Sequence, residues 1–142
     1  MTTITYRANK QGIDELLYDR NGPVVLHQAN AGRQAEGASR RRVGVKTGKL
    51  KGTIGSRLVR SSGKGWNVEV FAGGPAAPYG AYHHDGTRAH VIRPNKARVL
   101  RFQVGGATVF AQEVHHPGTK PNRFLVDGMR DAGLNPKSAG RF

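Results

Sequence analysis

The stretch ARVLRFQVGGATVFAQEV, residues 97–114, carries the clearest structural signal in this sequence. Two runs of alternating apolar and polar residues flank the glycine pair at 105–106, where both residues can adopt the positive φ of a two-residue hairpin turn. Pairing across the turn places Phe102 opposite Val109. The other face of the hairpin is polar except for Phe110, which we expect to pack on a partner. The predicted apolar face comprises Leu100, Phe102, Val104, Ala107, Val109 and Ala111.

A second antiparallel pair of strands is predicted upstream of this hairpin. TIGSRLVR (53–60) and WNVEVFAGG (66–74) are separated only by the turn-forming sequence SSGKG. In the second run Trp66, Val68 and Val70 alternate with other residues, which is the period of a strand with one buried face.

Helical spacing occurs before and after these strands. QGIDELLYDRN places Ile13, Leu16 and Leu17 three and four residues apart. PVVLHQANAGRQAEGASRRR predicts a second helix that begins at Pro23 and runs to about Ser39, and NRFLVDGMRDAG predicts a terminal helix. The order of elements predicts an α+β fold, in which N-terminal helices and a C-terminal helix pack on a mainly antiparallel β-sheet.

The length of 142 residues is typical of one domain, so residues 1–142 are predicted to form a single domain. Within it we expect an extended lead at 1–8, a long basic glycine-rich loop at 40–52 and a tail at 135–142. The sequence has no cysteine, which excludes disulfides and thiolate metal sites. It also has no run of about 18 apolar residues, so we expect no membrane partner.

Positive charge dominates the composition, with 23 Lys and Arg against 9 Asp and Glu and a formal net charge of +14. Residues 33–64 contain ten of these basic residues and a single acid, Glu36. Such a charge attracts polyanions and acidic protein surfaces, so nucleic acid and acidic neighbouring subunits are both candidate partners. No nucleic-acid-binding motif is present, so any contact with nucleic acid would be made through phosphates without sequence specificity. The candidate interface or DNA-channel residues are Arg40, Arg41, Arg42, Lys46, Lys49 and Lys51.

Histidine is concentrated in two segments, YGAYHHDGTRAHVIRP (79–94) and VHHPGTKPNRF (114–124). Histidine and aspartate are zinc ligands, but His83 and His84 are adjacent on a predicted strand and would point to opposite faces. The sequence also lacks an HExxH motif, a GxSxG nucleophile elbow and a phosphate-binding loop. We therefore expect no metal, no cofactor and no enzymatic activity.

Three motifs, VGVKTGKLKGTI, YGAYHHDGT and FAQEVHHPGTKPNRFLVDGM, follow one another along the chain. In order and spacing they resemble the motifs of a family of bacteriophage head–tail joining proteins, the tail-completion or neck proteins of long-tailed phages. The resemblance covers roughly residues 23–132. The sequence departs from the family pattern at His84, where relatives have an acid, at Asp85, where they have an aromatic residue, and in NRF, which lacks their proline. The residues that carry the motifs are Thr47, Gly48, Leu50, Tyr79, Tyr82, Gly86, Thr87, His116, Pro117, Gly118 and Phe124.

The resemblance implies a non-enzymatic structural protein of the virion, made in the cytoplasm of the host bacterium. Such proteins form a homo-oligomeric ring, usually of six copies, at the head-to-tail junction. The implied partners are the phage connector or stopper, the tail terminator, the tail-tube protein and non-specifically contacted double-stranded DNA in the channel. A tail terminator ring, a head-side stopper ring and a non-specific DNA-binding protein remain as alternatives.

Within this framework the segment 79–94 is interpreted as a strand-to-turn corner, where Tyr79 and Tyr82 pack and Gly86 permits the bend. The histidines are then expected on a surface between subunits. This interpretation predicts that Gly86→Val is damaging, whereas His83→Ala and His84→Gln are tolerated.

Overall fold

The structure is a computed structural model that describes residues 4–137, and it has the predicted α+β fold. Residues 1–3 of the predicted lead and residues 138–142 of the predicted tail lie outside the described part. The helices are α1 (Lys10–Tyr18), α2 (Pro23–Arg42), α3 (Lys49–Gly52), α4 (Gly80–Asp85) and α5 (Phe124–Asp131). The strands are β1 (Gly55–Arg60), β2 (Trp66–Phe71), β3 (His90–Ile92), β4 (Leu100–Val104), β5 (Ala107–Ala111) and β6 (Val114–His116).

The described chain divides into two compact units. Unit 1 combines the residues up to 80 with the residues from 123 onward, and unit 2 is the intervening segment Ala81–Asn122. The expectation that the whole chain behaves as a single domain stays a prediction.

All strand pairs among residues 4–137 are antiparallel, as predicted, and they form three two-stranded sheets: β1–β2, β3–β6 and β4–β5. The predicted register of the last hairpin is confirmed, since Phe102 lies opposite Val109. The turn between its strands has φ of 58° at Gly105 and 86° at Gly106. A glycine pair therefore fixes this hairpin because both positions require the left-handed region.

Helix α2 is the central element of unit 1 and packs against α5, β1 and β2. It begins at Pro23, as predicted, and one side of it carries small buried residues. Gly32 lies against the side chain of Val68, and Ser39 lies against Gly128 of α5. Because these residues are small, the backbone of α2 comes close to β2 at Gly32 and, about two turns further along the same face, to α5 at Ser39.

The core of unit 1 lies where the end of α2, α3 and the start of α5 meet. Phe124 is fully enclosed there, and Leu50 is buried beside it in the same cluster. Thr53 connects α3 to the residues after β2, since its hydroxyl donates to the Leu50 carbonyl (2.7 Å) and accepts from the Gly73 N–H (2.9 Å). The full core cluster is Val43, Leu50, Ile54, Ala72, Ala77, Phe124 and Leu125.

The predicted loop at 40–52 is shorter in the structure than in the prediction. Arg40–Arg42 form the last turn of α2 rather than loop, and Lys49–Gly52 form α3. Burial of Val43 and Leu50 anchors the segment at both ends, which the glycine content alone does not reveal. Only residues 43–48 remain as a connecting loop.

The predicted strand through His83 and His84 is wrong, because residues 80–85 form α4. Gly86 follows the helix with φ of 73°, the left-handed conformation in which glycine commonly ends a helix. The His83 carbonyl accepts a hydrogen bond from the Asn122 N–H (3.2 Å), which ties the end of α4 to the end of unit 2. A six-residue helix offers too short a repeat for its period to be distinguished from alternation.

Candidate functional site

Two of the six predicted interface cations are engaged by acids of their own chain. Arg40 forms an ion pair with Glu36 (3.0 Å) and donates to the Ile54 carbonyl (2.7 Å). Arg42 binds Asp131 through two hydrogen bonds of 2.7 and 2.9 Å. Both arginines therefore hold the end of α2 in place within unit 1.

The Arg42–Asp131 pair changes the titration of both groups. Hydrogen bonds from Arg42 lower the pKa of Asp131, with a further contribution from the positive charges of Arg42 and Arg41. The same hydrogen bonds raise the pKa of Arg42. The carboxylate is therefore stabilised in its ionised form by folding.

Asp131→Asn is expected to make the stability of the protein less sensitive to acid. The pKa of Asp131 is lower in the folded state, so the ion pair stabilises the fold above the unfolded pKa and loses this effect as the pH falls from about 4 downward. Thermal unfolding midpoints of both proteins between neutral and strongly acidic pH measure the difference. Glu15→Gln, which removes an exposed carboxylate without a cationic partner in the described range, is the control. Parallel losses of stability in wild type and Asp131→Asn would contradict the expectation.

The other four predicted cations are exposed on the surface of unit 1. Arg41 lies on the last turn of α2, Lys46 on the connecting loop, and Lys49 and Lys51 on either side of the buried Leu50. None of them forms an ion pair with an acid in residues 4–137. Arg41, Lys46, Lys49 and Lys51 are hereafter called the free basic set, and they are available to an anionic partner.

Some motif residues of unit 1 are buried in its core, and others lie on its surface. Leu50 and Phe124 are buried together, whereas Thr47 is exposed beside Gly48 on the approach to α3. The first and last motifs therefore meet in one hydrophobic cluster although they are far apart in sequence. Tyr79 is exposed, so the expectation that it packs is wrong.

In unit 2 the second and third motifs are joined by backbone hydrogen bonds. Thr87 N–H donates to the Thr119 carbonyl (3.1 Å), and Thr119 N–H donates to the Thr87 carbonyl (3.0 Å). Each threonine follows a glycine with positive φ, 73° at Gly86 and 88° at Gly118. Gly86, Thr87, Gly118 and Thr119 are called the paired corner. A Cβ on Gly86 would lie 2.5 Å from the Thr119 carbonyl oxygen, so each glycine makes room for the opposite strand.

Histidines flank the paired corner. His116 accepts a hydrogen bond at Nδ1 from the Gly118 N–H (3.0 Å), across Pro117. The ring of His116 stacks on that of His90, with centroids 5.0 Å apart, and His90 donates from Nδ1 to the Arg88 carbonyl (2.9 Å). These contacts shape the turn and give both rings a structural role.

The residues of α4 differ from their predicted positions. Tyr82 is exposed and does not pack, whereas His84 is buried and lies 2.7 Å from Asp85 through Nδ1. The placement of His84 on an exposed intersubunit surface is therefore wrong, and His84→Gln is a substitution at a buried position. His83 is partly buried, with its ring 3.4 Å from the Asn122 amide nitrogen.

The described histidines and carboxylates are not arranged for metal binding. Between residues 4 and 137 no three His, Asp or Glu side chains are close enough together to hold an ion. Glu113 instead meets Arg93 and His115, and the hydrogen bond from Arg93, followed by that from His115, lowers the pKa of Glu113. None of the helices in the described range combines the length and apolar character that a membrane crossing requires.

The pairing of Thr87 with Thr119 was missed by the sequence interpretation. The available signal is the repeated dipeptide Gly-Thr at 86–87 and 118–119. Period and composition do not say which two turns meet, because the hydrogen bonds join residues about thirty positions apart.

Comparisons of the chain with protein-family models, with curated proteins and with solved structures give no match in any of the three.

Proposed function

We propose that this protein is a structural, non-enzymatic component of a long-tailed bacteriophage particle, where it forms a ring at the head-to-tail junction. In this role it joins the connector to the tail and surrounds the channel for double-stranded DNA. Its partners are further copies of itself and the neighbouring connector, terminator and tail-tube proteins. It is made in the host cytoplasm and resides in the virion.

The observation that carries the proposal is the ordered set of three motifs, VGVKTGKLKGTI, YGAYHHDGT and FAQEVHHPGTKPNRFLVDGM. Several of their residues are buried in the core or allow a backbone conformation that other residues rarely adopt. Leu50 and Phe124 lie in the core of unit 1, and Gly86 and Gly118 permit the paired corner of unit 2. A resemblance at such positions supports a shared fold more strongly than one confined to exposed side chains.

The free basic set supports the part of the proposal in which one surface of unit 1 faces an anionic partner. Arg41, Lys46, Lys49 and Lys51 are exposed and form no ion pair with an acid in the described range, in contrast to Arg40 and Arg42. Exposed charges act weakly and are screened by salt. Weak contacts suit DNA that slides through a channel, and they also suit acidic faces of adjacent rings.

The triple variant Lys46→Glu, Lys49→Glu, Lys51→Glu is expected to lower head–tail joining by about two orders of magnitude, because like charges facing each other cost several kcal/mol. Thermal stability should stay close to wild type, since the three side chains are exposed. The measurement is the yield of infectious particles when the variant complements a phage lacking its own copy. Arg7→Glu, Lys120→Glu, Lys137→Glu changes the net charge equally at other exposed positions and is the matched control.

Normal yields of infectious particles from the variant Lys46→Glu, Lys49→Glu, Lys51→Glu would show that the free basic set has no role in head–tail joining. Imaging of particles tests the ring itself: density for this chain as a ring between connector and tail tube is expected, and its absence there would overturn the proposal. A position on the head side, or at the end of the tail, would assign the chain to a stopper or terminator layer.

A second candidate, non-specific binding of duplex DNA by the free protein, is favoured by the same unpaired cations. It predicts tight binding of duplex DNA by the purified chain, with an affinity that falls steeply as salt rises. The ring protein is expected to bind free DNA only weakly at physiological salt.

A further inference from the structure

Helix α1 presents an apolar face that the described chain covers only in part. Ile13 is 46% exposed and Leu16 is 51% exposed, and Leu17 lies on the same side. No residue of α1 is buried. The opposite side of the helix is anchored, since Asp14 binds Lys64 (3.0 Å) and the Tyr18 carbonyl accepts from the Trp66 indole (3.1 Å). The helix is therefore held in place with its aliphatic side chains partly exposed to solvent.

Two acids, Glu15 and Asp19, adjoin Leu16 at one edge of this apolar face, in an otherwise basic protein. Residues 10–19 contain three of the nine acids of the chain and one base, Lys10. Glu15 and Asp19 are exposed and pair with no cation in the described range. We call Ile13, Leu16, Leu17, Glu15 and Asp19 the helix patch.

The β4–β5 hairpin of unit 2 has the complementary properties. Phe110 is 63% exposed and lies directly opposite Arg101, which is also exposed and forms no ion pair with an acid among residues 4–137. Residues 96–112 carry three basic residues and no acid. A two-stranded hairpin with water on an aromatic face is only marginally stable by itself. Phe110 and Arg101 are called the hairpin patch.

We propose that the helix patch of one copy binds the hairpin patch of a second copy. Phe110 then packs on Leu16 at the edge of the apolar face, while Arg101 meets Glu15 or Asp19 beside it. A chain with a net charge of +14 is repelled by its own copies, so self-association needs a local acidic surface, and α1 supplies one. The inference rests on the proposed ring and names the contact that builds it.

The two patches lie on different parts of the chain, so the contact is head-to-tail. Each copy offers one helix patch and one hairpin patch, and repetition of such a contact closes into a ring when the rotation between copies allows it. The apolar side chains provide the burial, and the opposite charges fix the register and speed association.

A charge exchange tests the contact without relying on a damaged fold. The single variant Glu15→Arg places two guanidinium groups against each other in the contact, and the single variant Arg101→Glu places two carboxylates there. Each variant is expected to self-associate about tenfold more weakly than wild type in sedimentation velocity at low salt. An equimolar mixture is expected to recover association, because every contact between alternating copies again joins opposite charges. A mixture no stronger than the single variants would overturn the proposal.

Disulfide trapping gives an independent readout, because the natural chain has no cysteine. Mixing Leu16→Cys with Phe110→Cys is expected to give a linked dimer on mild oxidation, in larger yield than Leu16→Cys with Asn67→Cys, a control at an exposed position of β2. Equal yields from both mixtures would overturn the contact. So would a double variant, Leu16→Cys with Phe110→Cys, that links only within one chain at every concentration.

The two proposals fail separately. If particles show the ring but the mixture of Glu15→Arg with Arg101→Glu does not recover association, the patch contact is wrong and the proposed location at the junction still holds. If the mixture recovers association but the chain is absent from the junction in particles, the patch contact holds and the proposed location is wrong.

Discussion

Gly128→Ala is expected to destabilise unit 1 by about 3 kcal/mol, near the upper end of the usual cost of overpacking a core. A Cβ on Gly128 would lie 2.7 Å from the backbone nitrogen of Ser39 and 2.9 Å from its Cα. Backbone atoms of α2 cannot rotate away as a side chain can, so α5 must move. The movement would disturb the core around Phe124 and the ion pair between Arg42 and Asp131. Urea unfolding followed by the fluorescence of Trp66, the single tryptophan, measures the loss.

Gly37→Ala is the matched control, since Gly37 lies in α2 and an added Cβ would meet only the far end of Arg41 at 3.6 Å. Alanine is favoured over glycine within a helix by up to about 1 kcal/mol, so this variant should gain stability. Glycine-to-alanine substitution is thus expected to raise the stability of the protein at Gly37 in α2 and to lower it at Gly128 in α5. A stabilised Gly128→Ala protein would show that α2 and α5 are not in close backbone contact.

Gly118→Ala is expected to open the paired corner of unit 2. The left-handed conformation costs an alanine about 1–2 kcal/mol, and the new Cβ would also collide with the Thr87 carbonyl and lie 2.9 Å from the Arg88 carbonyl carbon. The reciprocal hydrogen bonds of Thr87 and Thr119 should then break. Faster hydrogen exchange of these two amides, measured by NMR, is the expected result.

Gly106→Ala separates the cost of the left-handed conformation from the cost of the collision. Gly106 has φ of 86°, close to the 88° of Gly118, but has open space around an added Cβ. This control carries the conformational cost without the collision. It should lose less stability than Gly118→Ala and leave exchange at Thr87 and Thr119 unchanged. Equal exchange rates in both variants would contradict the close approach of the two strands at the corner.

The features that could be predicted from the sequence are those that neighbouring residues determine. The register of β4–β5 follows from alternation on either side of the two glycines at 105–106. The start of α2 follows from Pro23, whose fixed φ suits the first helical turn. Both signals act within a few positions, so no distant partner is needed to interpret them.

The features that could not be predicted depend on distant partners. Arg40 and Arg42 look like free interface cations in the sequence, yet Arg42 meets an acid 89 positions away. The paired corner joins turns that lie 32 positions apart, and α4 is too short for its period to be recognised. The other four candidate cations form no ion pair with an acid of the described range.

The discontinuity of unit 1 has a consequence for synthesis on the ribosome. Its two segments are separated by the 42 residues of unit 2, so translation delivers all of unit 2 before α5 exists. Elongation at about 5–20 residues per second takes a few seconds to add these 42 residues, so α2 waits at least that long for α5. During that interval α2 has no α5, and the position of Phe124 in the core is still vacant. Completion of unit 1 is therefore expected to be among the last folding events of the described chain.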